Sequence, residues 1–286
     1  MDDPTARLPL WLVANPSSGS NSPESLAALQ QALGEAGCAP ARTILCPDDT
    51  LPTRADLEAA GVATLAIYTG DGTINATAKG IEGWQGHVLV LPGGTQNLLA
   101  KSLHGDVDPA TIVQRLAAGT LAPRRRSAVK TSQGHALVEV VAGPGATWAD
   151  VREGLRAPGI ATLATALGEA VRETASGALV HVAEPLMGRP EGYRALRVDA
   201  DSGTLNIDGY DASDWKELAA HATNMIVRRD FRDGPHQHVG TAPRLTCRSD
   251  EPIALMLDGE RCDGGPQETF ECVIFAVEFL HSPPQS

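Results

Sequence analysis

Aromatic residues are scarce in this chain of 286 residues: Phe, Trp and Tyr together supply 4% of the positions, whereas apolar residues overall supply 42%. A sizeable core can be built from this composition, but Leu, Val, Ile and Ala must pack it rather than large rings. A chain of this length exceeds the usual size of one hydrophobic core. We therefore expect two domains.

Cysteine pairs and long apolar runs are also missing. The five cysteines are an odd number, and no two of them have the C-x-x-C spacing. This pattern argues against a zinc site or disulfide framework and is typical of a reducing compartment. The first apolar run is too short for a secretion signal, and no segment approaches the roughly 20 apolar residues that span a bilayer. We expect a cytoplasmic protein, with which peripheral attachment to a membrane is compatible.

Positive charge is in short supply, since 23 Lys and Arg residues face 35 Asp and Glu residues and leave a formal charge of -12. Such a charge repels the phosphates of nucleic acid, so we exclude nucleic acid as a partner. The basic run 124–126 is the local exception. We interpret it as a solvated linker, with transient contact to an anionic membrane surface as the alternative. A homodimer is compatible with the composition.

The first part of the chain alternates apolar runs with helical patterns. Strands are predicted at 8–14, 41–46, 63–70 and 87–92, and helices at 22–37, 53–61, 73–81, 98–103 and 108–119. Ser22 is the expected N-cap of the first helix and Pro23 its first residue. Strands that alternate with helices indicate parallel strands joined by right-handed crossovers, hence a doubly wound α/β layer.

The pattern changes near residue 124 to short alternating segments divided by Gly, Pro, Asp and Asn, which predict a β-rich second domain. Two helical patterns, 146–158 and 161–174, interrupt it. We therefore expect an α/β domain over residues 1–123, joined by the C-terminal tail 276–286, and a β-rich domain over residues 124–275.

Three polar, glycine-containing turns, residues 15–20, 69–75 and 92–97, follow predicted strands of the first domain. Ligands of doubly wound sheets bind at the carboxyl ends of the strands. A turn such as TGDGT can direct consecutive backbone N–H groups at one anion, and the following helix adds its positive end. The turn therefore predicts a phosphate site, although the usual P-loop sequence is absent.

Asp71 lies inside this turn, where a carboxylate by itself would repel phosphate. In phosphoryl transfer an aspartate either holds Mg²⁺ or accepts the proton of the attacking alcohol. The alternative is a plain tight turn in which the Asp71 side chain caps the next helix.

The motifs NPSSG, GDGTIN, LPGGTQN and LDGE, in this order, resemble the diacylglycerol kinase catalytic family. That family includes bacterial lipid kinases and the sphingosine and ceramide kinases, with NAD kinases as distant relatives. The resemblance implies an α/β nucleotide-binding domain that uses ATP and Mg²⁺, followed by a β-sandwich domain for a lipid substrate. It assigns Asp71 to catalysis and metal binding, and it assigns nucleotide contacts to Asn15, Ser17, Ser18, Gly19, Gly70, Asp71, Gly72, Thr73, Asn75, Gly94, Thr95 and Asn97.

Glu260, in LDGE, matches the late acidic residue of the family and is the expected proton acceptor for the lipid hydroxyl. Its alternative is a hairpin position, because Asp-Gly is a strong turn dipeptide. Three positions depart from the family pattern: Thr69 replaces a glycine, while Ala76 and Leu98 replace acidic residues.

These observations together predict an ATP-dependent lipid kinase that transfers the γ-phosphoryl group to diacylglycerol or a related long-chain lipid alcohol. Two alternatives stay open. One is an enzyme similar to NAD kinase, which shares the GDGT turn. The other is a catalytically impaired nucleotide- or lipid-binding module, favoured by Ala76 and Leu98.

Overall fold

The computed structural model describes residues 9–16, 18–19, 21–147, 177–210 and 236–283. The chain divides into two compact units. The first unit is Met1–Arg126 with Phe275–Ser286, and the second unit is Ser127–Ile274. Among the described residues, no helix is long and apolar enough to cross a membrane.

Within its described residues, the first unit contains a six-stranded sheet and five helices. Its strands are β1 (Leu10–Ala14), β2 (Arg42–Leu45), β3 (Thr64–Thr69), β4 (His87–Pro92), β5 (Ala122–Arg124) and β17 (Glu278–His281). Its helices are α1 (Pro23–Glu35), α2 (Arg54–Ala59), α3 (Asp71–Gly80), α4 (Leu98–His104) and α5 (Pro109–Ala117). The strand order is β2-β1-β3-β4-β17-β5.

Strands β1 to β4 are mutually parallel, and β17 continues the sheet parallel to β4. Residues Leu10, Leu12 and Ala14 of β1 pack with α1 and α5 on one face of the sheet. Successive strand residues point to opposite faces, and the intervening Trp11 and Val13 are also buried. The doubly wound α/β prediction is confirmed.

Local sequence explains where α1 begins and which face it buries. Ser22 accepts a hydrogen bond from the Ser25 amide, the Ser25 hydroxyl accepts one from the Ser22 amide, and proline opens the helix. Such a capping box satisfies two of the N–H groups that the first turn leaves unpaired. Leu26, Leu29 and Leu33 are the buried residues of α1, as the spacing predicts.

Two boundaries differ from the sequence prediction. Helix α3 begins at Asp71 rather than at Thr73, so the GDG segment is the start of the helix. The basic run does not form a simple linker, because Arg124 ends β5 and pairs with Phe279 of β17 in antiparallel register. Arg124 and Arg125 are nevertheless exposed.

The described strands of the second unit are β6 (Ser127–Thr131), β7 (Gly134–Ala136), β8 (Glu139–Ala142), β9 (His181–Glu184), β10 (Ala195–Asp201), β11 (Thr204–Tyr210), β12 (Gln237–Ala242), β13 (Arg244–Arg248), β14 (Ala254–Leu257), β15 (Glu260–Asp263) and β16 (Gln267–Ile274). They form two antiparallel sheets, of orders β12-β11-β10-β8-β14-β15 and β7-β6-β16-β13-β9.

Side chains of both sheets form one buried cluster, which includes Val140 and Val198 from the first sheet and Leu245 and Phe270 from the second. This shared core is the signature of a β-sandwich. The β-rich prediction is confirmed. The two helices predicted at 146–158 and 161–174 lie almost entirely outside the described residues.

Candidate active site

Three loops of the first unit begin at the carboxyl ends of neighbouring parallel strands. We call them the first loop (residues 15–21, after β1), the second loop (residues 69–73, after β3) and the third loop (residues 92–97, after β4). In the sheet β1 lies between β2 and β3, so the chain changes direction at β1. Ligands of open α/β sheets bind at such a switch point. Ser17 and Ser20 lie outside the described residues.

Close backbone contacts show that the three loops meet. A Cβ atom built on residue 94 would lie 2.7 Å from the Cα of Gly70, and one built on residue 19 would lie 2.6 Å from the carbonyl carbon of Gly94. Gly19 also has a φ of +57°. Because real Cβ atoms do not approach so closely, a larger residue at position 19 or 94 would force the loops apart.

Asn21 joins the first loop to the end of β3 and was not foreseen from the sequence. Its Nδ2 donates to the carbonyl oxygens of Asn15 at 3.0 Å and Tyr68 at 3.3 Å. A Cβ built on residue 93 would lie 2.8 Å from the same nitrogen, so Asn21 also borders the third loop. The sequence signal that could have found it is an asparagine directly between a glycine turn and a helix cap.

Asn97 shapes the third loop from within. Its backbone is left-handed, with φ of 56° and ψ of 42°, a conformation that asparagine adopts more readily than most residues. Its Oδ1 accepts a hydrogen bond of 2.6 Å from the Gly94 amide. The family resemblance assigns Asn97 to nucleotide binding. The hydrogen bond to the Gly94 amide shows that Asn97 holds the loop that carries Thr95.

The helices of the first unit begin in two ways. Helices α1, α2 and α5 are capped by the side chains of Ser22, Thr53 and Asp108. Helices α3 and α4 begin after Gly70 and Asn97, and neither of these residues provides a side-chain cap. Amides that lack an internal partner at a helix N-terminus attract anions, because they donate hydrogen bonds and carry the positive end of the helix dipole. The first turn of α3, with Gly72 and Thr73, is therefore suited to phosphate.

Asp71 is the first residue of α3 and is partly buried. Its Oδ1 accepts a long hydrogen bond of 3.4 Å from the Leu99 amide in the first turn of α4. The N-cap of α3 is Gly70 rather than Asp71. The carboxylate instead links the starts of two helices at the point where the loops meet.

The three departures from the family pattern occupy different environments. Thr69 is fully buried, and its hydroxyl donates to the Gly70 carbonyl at 3.1 Å. Its φ is not in the left-handed region, so the backbone does not require glycine there. Leu98 is 9% exposed and packs as a core residue, whereas Ala76 lies on the exposed face of α3. Asp71 is consequently the one acidic residue within the described parts of the three loops.

Glu260 lies in the second unit, at the exposed start of β15. Asp258 and Gly259 form the turn before it, with φ of 49° and 93°, and Leu257 pairs with Glu260 across the hairpin. The hairpin interpretation of LDGE is thus confirmed for the backbone. It does not compete with a catalytic role, because Glu260 follows the turn and its side chain is exposed.

Asp258 is almost fully buried, at 2% exposure. Its carboxylate accepts hydrogen bonds from the amides of Leu137, Val138 and Glu139. Burial raises the pKa of Asp258 to about 6, and these three donors oppose a further rise because they favour the charged form. Sequence reasoning treated Asp258 only as a turn residue.

The described residues offer few ligands for the Mg²⁺ that the family resemblance implies. Among the described residues, no three His, Cys, Asp or Glu side chains cluster in a way that could hold a metal ion. Mg²⁺ in phosphoryl-transfer sites is bound by one or two carboxylates together with substrate phosphates. The single carboxylate of Asp71 beside the start of α3 fits a metal that arrives with its nucleotide.

Comparison with known proteins identifies the first unit. Residues 9–126 match the model of the diacylglycerol kinase catalytic domain. Over these residues the chain is similar to that family. The resemblance read from the sequence motifs is therefore confirmed, and the match supports a lipid kinase family. No curated protein matches the chain.

Solved structures match over nearly the whole chain. A diacylglycerol kinase from Bacillus anthracis is 14% identical, with a TM-score of 0.63, and the match covers 96% of this chain and 97% of that one. Two structures of a candidate diacylglycerol kinase from the same organism are 15% identical with the same coverage and have TM-scores of 0.63 and 0.65. At this identity the likeness shows that the fold is shared.

Proposed function

We propose that this protein is an ATP-dependent lipid kinase that transfers the γ-phosphoryl group to the hydroxyl of diacylglycerol or a related long-chain lipid alcohol. One observation carries the proposal: in a diacylglycerol kinase catalytic domain, the uncapped start of α3 lies where three loops meet at the switch point of the sheet. Such a site suits a polyphosphate.

Residues of the three loops have different roles in positioning ATP. The amides of Gly72 and Thr73, with Thr95 from the third loop, orient the phosphates of ATP. Gly19, Gly70 and Gly94 allow the loops to approach, and Asn97 holds the third loop in shape. By the family resemblance, Asn15, Ser17 and Ser18 border the nucleotide, and Asn75 helps to hold its phosphates. Positioning and charge stabilisation of this kind supply most of the rate in phosphoryl transfer.

Two carboxylates have separate roles in the proposed reaction. Asp71 would hold Mg²⁺, which when bound neutralises charge on the phosphates. Glu260 accepts the proton of the lipid hydroxyl. The hydroxyl oxygen then bonds to the γ-phosphorus, and the bond between that phosphorus and the bridging oxygen breaks, so that ADP leaves with the electron pair.

The test is to incubate the protein with ATP and Mg²⁺ and with diacylglycerol, sphingosine, ceramide or NAD, and to follow products by mass spectrometry. Phosphorylated lipid with matching ADP release is expected, and it should be lost in Asp71→Asn but kept in Asp250→Asn, which alters an exposed aspartate of the second unit. Phosphorylation of NAD alone would establish the NAD kinase alternative. ATP binding without ADP release for any acceptor would establish an impaired binding module.

A further inference from the structure

The hairpin turn at Asp258 and Gly259 lies immediately before Glu260. The position of the turn therefore determines the position of Glu260. Both turn residues have left-handed φ values, as a two-residue type I′ turn requires. Asn-Gly would form such a turn at least as well as Asp-Gly. The turn itself therefore does not explain why this chain buries a carboxylate there, since burial of a charged group is costly unless it is paired.

The contacts of the Asp258 carboxylate supply the explanation. Oδ2 accepts from the Leu137 amide at 2.6 Å, and Oδ1 accepts from the amides of Val138 and Glu139 at 2.8 Å each. In return, the Asp258 amide donates to the Glu139 carbonyl at 3.0 Å. These bonds attach the turn to a segment that lies about 120 residues earlier in the chain. Charge-assisted bonds to backbone amides are short and strong.

Residues 137–139, which bond to the turn, are themselves held in place by further contacts. The Glu139 side chain is largely buried, and its Oε2 lies 2.8 Å from the Nε of Arg197 on β10. Arg197 also lies 3.4 Å from Asp208 on β11. A continuous series of polar contacts thus runs from the turn, through Glu139, to two central strands of the sheet. Rigid support of this kind is what a precisely placed catalytic group needs.

We propose that Asp258 is a positioning residue for Glu260: its carboxylate, held by the amides of residues 137–139, fixes the turn that presents Glu260 to the lipid hydroxyl. The inference rests on the proposed function, because it needs Glu260 to act as the proton acceptor. Asp258 acts through the turn and does not contact substrate.

The experiment measures kcat and the KM for ATP in lipid phosphorylation for Asp258→Asn, Glu260→Gln and the double variant. Asn keeps the turn preference and one acceptor oxygen but cannot accept all three amide bonds. Asp258→Asn is expected to lower kcat about tenfold or more with the KM for ATP within about twofold. In the Glu260→Gln background the same change should alter kcat by less than about twofold, because the group it positions is already gone.

Two further variants keep the test decisive. Asp263→Asn makes the same chemical change at an exposed site on β15, the strand that begins with Glu260. It should leave kcat unchanged. Gly259→Ala strains the turn but retains the carboxylate, and it should show the same dependence on Glu260 if Asp258→Asn does not fold. If Glu260→Gln abolishes turnover completely, Glu260→Asp serves as the background.

The outcomes separate the inference from the proposed function. An unchanged kcat in Glu260→Gln means that the assignment of the proton acceptor has failed, and the inference fails with it. A reduced kcat in Glu260→Gln together with an unaffected Asp258→Asn overturns the inference alone. Equal losses from Asp258→Asn in both backgrounds also overturn it, because such additivity indicates a general effect on folding.

Discussion

The same dipeptide, Asp-Gly, has different structures in the two units. At residues 71 and 72 it opens a helix, and the aspartate is partly buried and reaches the start of another helix. At residues 258 and 259 it forms a left-handed hairpin turn, and the aspartate is buried against three amides. The difference follows from the neighbours: TINATAKG continues as a helix, whereas ERCD continues as a strand.

This comparison separates two uses of a carboxylate. Asp71 lies among loops that meet at a strand switch point, so its removal should affect chemistry more than folding. Asp258 satisfies buried backbone groups, so its removal should affect folding more than substrate binding.

Asp258→Ala should lower the free energy of unfolding of the second unit by about 4 kcal/mol, because it leaves three buried amides without their acceptor at about 1–3 kcal/mol each. Hydrogen exchange followed by mass spectrometry measures this loss separately for peptides of each unit. A loss below about 1 kcal/mol would show that the amides find other partners. Asp258 would then not be needed to satisfy these backbone groups.

Two buried groups, one in each unit, should make opposite contributions to the pH dependence of stability. Burial, with the neighbouring His281 and Arg115, lowers the pKa of His104 in the first unit to about 4. The unfolded chain therefore binds more protons than the folded one between about pH 6.5 and 4, and stability is lost as the pH falls through that range. The raised pKa of Asp258 has the opposite sign: its contribution is lost as the pH rises from about 4 to about 6.

The measurement is the difference in the free energy of unfolding between the parent protein and the variant, between about pH 6.5 and pH 4. His104→Gln should remove about 3 kcal/mol of acid sensitivity from the first unit and leave the second unit unchanged. A first unit whose pH dependence is the same with and without His104 would contradict the assignment of a buried neutral imidazole.

Asp71→Asn should lower kcat for lipid phosphorylation by about 100-fold or more, the range over which catalytic groups of this kind act. The free energy of unfolding should change by less than about 1 kcal/mol, because only helix-terminus interactions are lost. Steady-state kinetics and urea unfolding on the same sample provide both numbers. A large loss of stability with unchanged kcat would give Asp71 a purely structural role.

Gly94→Ala should weaken ATP binding about tenfold and destabilise the first unit by about 2 kcal/mol, because the new Cβ would meet the Cα of Gly70 at 2.7 Å. The control is Gly34→Ala in α1, where the new atom meets nothing within 4 Å and should stabilise the helix by about 0.5–1 kcal/mol. Calorimetric titration with ATP and thermal unfolding measure both effects. Equal affinities in the two variants would mean that loop contact does not shape the site.

Much of the fold could be predicted because its signals are local. Ser22 and Pro23 mark the start of α1, and apolar runs mark β1, β3 and β4. The three loops could be located because each one follows a predicted strand. The start of α3 at Asp71 was missed because the glycines indicate a turn, whereas Gly70 has an ordinary φ of -77° and simply precedes the helix.

The contacts that shape the sites could not be predicted, because they join distant parts of the chain. Asn21 meets Tyr68 across 47 positions, and Asp258 meets Leu137 across 121. Asp71 reaches Leu99 across 28 positions. No local pattern encodes such pairs. Each depends on two segments being brought together by the sheet, and only the structure shows which polar group each side chain meets.

The central claim is that the start of α3 holds the phosphates of ATP. Amide chemical shifts of the isotopically labelled protein, recorded as ATP and Mg²⁺ are added, test it directly. We expect the largest changes at Gly72 and Thr73, with smaller ones at Thr95 and at Leu99, whose amide contacts Asp71. Saturable ATP binding that leaves the resonances of Gly72 and Thr73 in place would contradict the account.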